Sequence, residues 1–351
     1  MNIVLATGGS LGHVAPAVLL ANNLRALGHT VYFVGALDKW EALLEQNGFN
    51  RLCLDVKGVS LKECQATILI GKAMFECRRY FKKINAHVVV GFGSYSSVSG
   101  VFAGKLMGLP TIIHEQNIRP GKANQFLGFL VKRVAISFEE SYKYFPKKRT
   151  VLTGLPCKVT LDESSSALYT RYKLNESLKT ILVFGGSQGS HQINQLFLQA
   201  VATLGKEVDF QVIHITGEAE RGEVRAIYAK YNVQAYVSSF VDDMAPLYTL
   251  SDLVIARSGA STVTELALLE KKSLLVHYQY SGIQQFNNAQ VLEKIGLAQI
   301  YQGSDAVEFS KLISLGLTRT INLDEVRNNR NKHIKQDAIH LLTEEVVDLI
   351  R

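Results

Sequence analysis

Cysteine is scarce in this sequence and dispersed. The four thiols are Cys53, Cys64, Cys77 and Cys157, and no pair has C-x-x-C spacing. Neither a zinc site nor a disulfide framework is expected, and reduced thiols are the default. Long apolar runs are missing too: no window approaches the roughly 18 residues a membrane span needs. The first residues lack a basic start and a cleavage signature, because the apolar stretch Asn2 to Ala6 runs straight into glycines. A secretory leader is therefore not expected, and the chain is read as made and kept in the cytoplasm. Two nucleotide fingerprints are also absent. There is no G-x-G-x-x-G after a strand, which makes a nicotinamide oxidoreductase a distant reading. There is no Gly-Lys-Ser/Thr, which excludes a P-loop. No nucleic-acid recognition module is visible either.

What is present is an ordinary globular composition. The chain has 351 residues, 47% hydrophobic and 20% charged. That length is the natural size of two domains, each able to bury its own core. The net charge of +7 is unevenly spread. Residues 1–158 carry 20 Lys and Arg against 9 Asp and Glu, a net +11, whereas residues 159–351 carry 18 against 22, a net −4. A basic half implies an anionic partner.

Apolar runs alternate with helical patterns, the signature of α/β architecture. In the first half, strands are expected at 3–6, 30–34, 88–90, 111–114, 134–137 and 150–153. The loop Thr7-Gly8-Gly9-Ser10-Leu11-Gly12-His13 follows the first strand. A helix is expected to begin near Pro16 and to stop at Gly28. The second half repeats the plan. A strand at 180–184 leads through Gly185-Gly186-Ser187-Gln188-Gly189 into a helix from Ile193 to Leu204, closed by Gly205. Further strands are expected at 210–215, 253–256 and 273–277. Both opening loops read Gly-Gly-Ser-x-Gly. The economical reading is two doubly wound Rossmann-like domains facing across a cleft, with ligands at the carboxyl ends of the strands. The boundary is placed within 158–166, giving domains 1–158 and 159–334. An amphipathic helix over 335–351 is expected to cross back onto the first domain.

The glycine loops sit between a strand and a helix, where backbone N–H groups and the helix dipole favour a phosphate. His13 closes the first loop, where it either caps the helix or serves as a base. Downstream, Arg257-Ser258-Gly259-Ala260-Ser261-Thr262 runs from a strand into a helix that carries Glu265. That carboxylate either completes a capping box with Thr262 or binds the vicinal hydroxyls of a ribose. Gln284, Gln285, Asn287 and Asn288 open the next helix and suit sugar hydroxyls, as does His114-Glu115-Gln116-Asn117 at a strand end. Gly91-Phe92-Gly93-Ser94-Tyr95 is a third Gly/Ser loop.

These blocks, with Phe240-Val241-Asp242-Asp243-Met244, occur in order over essentially the whole chain. Together they resemble the MurG family, bacterial transferases that add N-acetylglucosamine to a lipid-linked muramoyl-pentapeptide in peptidoglycan synthesis. The resemblance implies a GT-B fold and an inverting, metal-independent reaction with no cofactor. It implies UDP-N-acetylglucosamine as donor and a polyprenyl-pyrophosphoryl-muramoyl-pentapeptide as acceptor. It implies donor contacts at Asn117, Lys158, Ser187, Val241, Arg257, Ala260, Ser261, Thr262, Glu265, Gln284 and Gln285. The acceptor side would be Ser10, Leu11, Gly12, His13, Gly93, Ser94 and Tyr95, with His13 as base and Glu115 as the alternative. Asp242-Asp243 is read as structural, beside the uracil. Leu11, Leu155, Lys158 and Ser261 depart from the family pattern.

The segment Ile68 to Lys83 mixes Ile68, Leu69, Ile70, Met74 and Phe75 with Arg78, Arg79, Lys82 and Lys83. It is read either as a core helix or as a contact with an anionic membrane surface. The resemblance implies the inner face of the bacterial inner membrane, with other wall-synthesis and division proteins as partners and no nucleic acid. The rival readings are a GT-B enzyme with another lipid acceptor, and a non-catalytic UDP-sugar-binding scaffold.

Overall fold

A computed structural model describes residues 1–55, 64–159, 164–205, 208–277 and 283–351; the side chains of 64–68 and 283–284 fall outside that description. Thirteen strands are seen among the described residues: β1 Asn2–Ala6, β2 Thr30–Gly35, β3 Asn50–Cys53, β4 Val88–Gly91, β5 Thr111–Glu115, β6 Arg133–Ile136, β7 Thr150–Leu152, β8 Lys179–Phe184, β9 Phe210–Ile215, β10 Ala235–Ser238, β11 Leu253–Ala256, β12 Ser273–Val276 and β13 Ala298–Tyr301. They form two parallel sheets of order β3-β2-β1-β4-β5-β6-β7 and β10-β9-β8-β11-β12-β13. Both orders reverse direction next to the first strand, between β1 and β4 and between β8 and β11. That is the switch point at which doubly wound sheets open a ligand crevice.

The chain divides into two compact units. One comprises Met1–Cys157 with Ile334–Arg351, and the other Lys158–His333. In the first unit, alternate residues of each strand serve opposite faces of the sheet. Ile3, Leu5, Val31, Phe33, Val88 and Val90 pack with Val14, Leu20 and Leu24 of the helix Leu11–Ala26. Val4, Ala6, Val34, Val89, Ile113 and Val134 pack on the other side with Cys77, Phe81 and Val101. Burial on both faces makes such a strand read as an unbroken apolar run. The final helix, Ala338–Asp348, places Leu342 and Val346 in the first of these clusters. In the second unit, the helix His191–Leu204 supplies Ile193, Phe197 and Leu204 to a core with Val183, Val212, Ile255 and Phe309.

Several expectations shift. The first helix starts at Leu11, not near Pro16, so Gly12 and His13 lie in its first turn and Pro16 lies inside it. It does end as expected: Gly28 takes φ +85°, which a glycine adopts without steric cost. The last helix begins at Ala338 rather than 335. Strands β3, β10 and β13 were not anticipated. All three are sheet edges, with part-exposed residues instead of an apolar run. Among the described residues, no helix is long and apolar enough to cross a membrane. Cys53 and Cys77 are free thiols, and the Cys64 side chain lies outside the described residues.

Candidate functional site

In the first unit, the loops after β1 and β4 meet at the switch point. Gly8 and Gly9 take positive φ (+148° and +80°), whereas Leu11 is already helical. The first loop therefore needs glycine before Leu11 and not at it, so this departure from the family pattern brings no backbone strain. A Cβ on Gly8 would lie 2.7 Å from Ala36 O and from Ser96 Oγ, so the loop is packed against its neighbours. Trp40 Nε1 donates to Gly9 O at 3.1 Å. Ser94 holds a left-handed φ of +63°, costly for a serine, with Ser96 Oγ 2.6 Å from its own Oγ and Ser97 Oγ donating to its carbonyl at 3.0 Å.

His13 stands between these loops. Its Nδ1 lies 2.9 Å from Ser10 Oγ. A Cβ on Gly93 would come within 3.2 Å of the imidazole Cδ2 and 3.3 Å of Nε2, and the backbone there takes φ +79°, so glycine suits the close approach of the β4 loop. Burial pushes the imidazole down to about 4, so the ring is neutral near pH 7. If Nδ1–H donates to Ser10, Nε2 keeps its lone pair and can accept a proton. Gly12, Ser10 and Tyr95 are exposed, Leu11 and Ser94 are half-buried, and Gly93 is buried.

Glu115 is placed differently from the reading of it as a base. Its carboxylate is buried and accepts from Asn117 N (2.9 Å), Asn117 Nδ2 (3.3 Å), Gly121 N (3.3 Å) and Asn124 Nδ2 (2.9 Å). Four donors saturate a carboxylate. This arrangement holds the 116–124 segment in place and leaves no lone pair aimed outward. Burial raises the Glu115 carboxyl while these four donors lower it. His114 is fully buried, with Nε2 2.9 Å from Gly154 O, and burial lowers it to about 4.

In the second unit, the loop after β8 closes on a neighbouring turn. A Cβ on Gly185 would lie 2.4 Å from Ser190 N, and one on Gly189 2.2 Å from Thr216 O. Ser190 caps the helix His191–Leu204, its side chain accepting from Ile193 N at 3.5 Å. Ser187 is exposed at the loop tip. Behind the loop, His214 is buried between Tyr228 Oη (2.7 Å from Nδ1) and Asn194 Oδ1 (3.0 Å from Nε2). Asn194 Nδ2 in turn donates to Thr216 O at 2.9 Å.

After β11, Gly259 is the N-cap of the helix Ala260–Leu268, and Ala260, Ser261 and Thr262 form its first turn. The first N–H groups of a helix have no partner within the helix, and they lie at the positive end of its dipole. Thr262 is thus not a cap, and the capping-box alternative falls. Glu265 instead accepts from Tyr248 Oη at 2.8 Å through Oε2. Burial raises the Glu265 carboxyl to about 7; the Tyr248 hydrogen bond opposes this and Asp243 adds to it. Arg257 Nε donates to Gln285 Oε1 at 3.1 Å, and Ser258 Oγ to Gln285 O at 2.7 Å. Asn288 is buried and donates to Ser258 O, so it braces the turn from inside. The Gln284 side chain lies outside the described residues. Asp243 Oδ1 accepts from Ala245 N at 3.0 Å, a helix-start role. Val241 is half-buried and Lys158 exposed; Asn117 lies in the first unit. Among the described residues, no three His, Cys, Asp or Glu side chains cluster to hold a metal ion.

Trp40, Asn124, Tyr248 and the Asn194–His214 pair are parts of these sites that the sequence did not single out. Each acts through a contact distant in sequence, and no local spacing marks it.

The chain matches the glycosyltransferase family 28 N-terminal domain over residues 3–136 and the family 28 C-terminal domain over residues 180–342. The second match runs past His333 into the helix that packs on the first unit. A UDP-N-acetylglucosamine–N-acetylmuramyl-(pentapeptide) pyrophosphoryl-undecaprenol N-acetylglucosamine transferase of Lawsonia intracellularis is 34% identical over 99% of this chain and 97% of its own length. The protein of that name from Myxococcus xanthus is 35% identical over 87% of this chain and 81% of its own. The crystal structure of Acinetobacter baumannii MurG superposes with a TM-score of 0.78 at 27% identity, covering 99% of both chains. Two Rossmann-like units with these strand orders are of GT-B type. The chain therefore belongs to the MurG family of glycosyltransferases, within glycosyltransferase family 28.

Proposed function

We propose that this chain transfers N-acetylglucosamine from UDP-N-acetylglucosamine to a lipid-linked N-acetylmuramoyl-pentapeptide, by an inverting displacement that needs no metal ion. The observation that carries this reading is the likeness, over nearly the whole of both chains, to a transferase named for that reaction. The second unit is read as the donor domain. The Ser187 loop and the first turn of the helix at Ala260, Ser261 and Thr262 take the pyrophosphate. Glu265 takes the ribose hydroxyls, and the backbone at Val241 the uracil. Arg257, Gln284 and Gln285 surround the sugar and its phosphates, with Asn117 and Lys158 as further donor contacts. Leaving UDP gains negative charge, which the helix N-terminus and Arg257 stabilise. The first unit is read as the acceptor domain, with Ser10, Leu11, Gly12, Gly93, Ser94 and Tyr95 around His13. The acceptor hydroxyl attacks the anomeric carbon and gives its proton to His13 Nε2. Glu115 shapes the loop beside it.

The acceptor is a lipid, and the helix Cys64–Lys83 supports peripheral binding to an anionic membrane surface at the cytoplasmic face. Ala73, Cys77 and Phe81 are buried at i, i+4 and i+8, so one face is core. Phe75 is 70% exposed, and Lys72, Arg78 and Arg79 flank it at helical spacing on the outer face. Each such cation adds roughly 1 kcal/mol of attraction to an acidic leaflet. The test of the reaction is one incubation of labelled UDP-N-acetylglucosamine with a short-chain lipid-linked muramoyl-pentapeptide and a chelator. Product formed at the uninhibited rate is expected. No product with or without added magnesium overturns the assignment.

A further inference from the structure

The Glu265 carboxylate is held by a tyrosine from the short helix before β11. Tyr248 sits on the short helix Ala245–Leu250, is 1% exposed, and donates its phenol proton to Glu265 Oε2 at 2.8 Å. Its ring stands edge-on to Phe184, the last residue of β8, with centroids 6.1 Å apart. The phenol is therefore locked between the end of the sheet and the helix Ala260–Leu268, without access to bulk water. We propose that Tyr248 is a positioning residue for donor recognition, its phenol engaging one lone pair of Glu265 Oε2 so that the carboxylate is oriented with its remaining lone pairs toward the vicinal hydroxyls of the nucleotide ribose. The inference rests on the reading of Glu265 as the ribose ligand.

The physical argument concerns which form of the carboxyl meets the diol. Two ribose hydroxyls are donors, so they need an acceptor-only carboxylate. Burial already brings Glu265 close to the point at which it would hold its proton at neutral pH. The ionisable groups acting on it come from the segment that precedes it: Tyr248, which favours the charged form, and Asp243, which disfavours it. Arg257, at the start of the same turn, is directed to Gln285 and not to this carboxyl. Removing the phenol proton leaves Oε2 buried without that donor and tips the group toward the neutral acid. A neutral carboxyl spends one oxygen as a donor and no longer matches the diol.

The test is UDP binding to the full chain by calorimetry, with Tyr248→Phe against wild type at pH 7 and pH 9. A rise of one unit in the carboxyl removes about tenfold of the ionised form below its titration point. The expected result is UDP affinity weakened about fivefold at pH 7, the titration point of the wild-type carboxyl, and restored to within twofold at pH 9. With 2′,3′-dideoxy-UDP, wild type and Tyr248→Phe bind alike. A deficit equal at both pH values, or no deficit, overturns the inference, because a merely structural tyrosine would not act through protonation. If wild type binds the dideoxy nucleotide as tightly as UDP, Glu265 is not the ribose ligand and both readings fall. If wild type discriminates and Tyr248→Phe is unaffected at pH 7, only the role of Tyr248 falls.

Discussion

Glu265→Gln should make the protein more stable while it weakens donor binding, and the gain should depend on pH. The carboxyl sits at about 7 in the folded chain against an ordinary value of 4.5. A raised carboxyl means that the unfolded chain loses its proton first as pH rises. Its stabilising contribution is thus complete below pH 4.5, falls away up to about pH 7, and stays lost above that. The displacement of about 2.5 units corresponds to roughly 3 kcal/mol, since each unit is worth about 1.36 kcal/mol. Glutamine is uncharged, nearly isosteric, and its amide oxygen can still accept from Tyr248. It therefore escapes the cost of a buried charge. For a unit of this size, 1 kcal/mol moves the midpoint by about 2–4 °C. Thermal unfolding of wild type and variant should give nearly equal midpoints at pH 4.5, with the variant higher by roughly 6–12 °C at pH 8. UDP calorimetry on the same samples should show a marked loss of affinity in the variant, the usual exchange of function for stability at a strained site. A midpoint difference that is the same at both pH values would refute the account of Glu265 as a carboxylate held ionised against burial.

Arg257→Ala should lower kcat/KM by at least about a hundredfold, because one well-aimed donor in such a site is worth about 3–4 kcal/mol of barrier; near-normal turnover removes Arg257 from the mechanism. His13→Ala should lower kcat by about 10²–10⁴ while leaving UDP affinity intact. Since burial holds His13 near 4, its protonation should not set an acid limb between pH 6 and 8 in the wild-type rate profile. Phe75→Ser combined with Arg78→Ser and Arg79→Ser should abolish flotation with vesicles rich in acidic lipid and spare turnover of a short-chain acceptor. Flotation insensitive to salt or to acidic lipid would count against that surface.

The doubly wound plan and the glycine loops of the candidate site were legible from local pattern. Strands buried on both faces, such as Ile3 to Ala6 and Leu253 to Ala256, must be apolar throughout, so they announce themselves. The glycine loops were legible because close approach leaves no room for a Cβ: at Gly93 it would crowd His13, and at Gly185 it would meet Ser190. A helix terminator such as Gly28 was legible because a left-handed φ there favours glycine. The edge strands β3, β10 and β13 were not, because a part-exposed edge carries no apolar run. The helix start at Leu11 was hidden by Pro16, a residue usually read as a first-turn signal but here inside the first helix.

Residue roles needed the tertiary structure. Sequence left Glu115 as a candidate base; only the folded loop shows four donors closing on its carboxylate. Sequence left Glu265 divided between a capping box and a ribose ligand; the N-cap at Gly259 and the hydrogen bond from Tyr248 removed the first. The reason is the same in both cases. Backbone torsion and burial are imposed by neighbours within a few residues or by strand position, so a one-dimensional pattern records them. Protonation and lone-pair direction are imposed by whichever groups the fold brings within 3 Å, and no spacing in the chain encodes that.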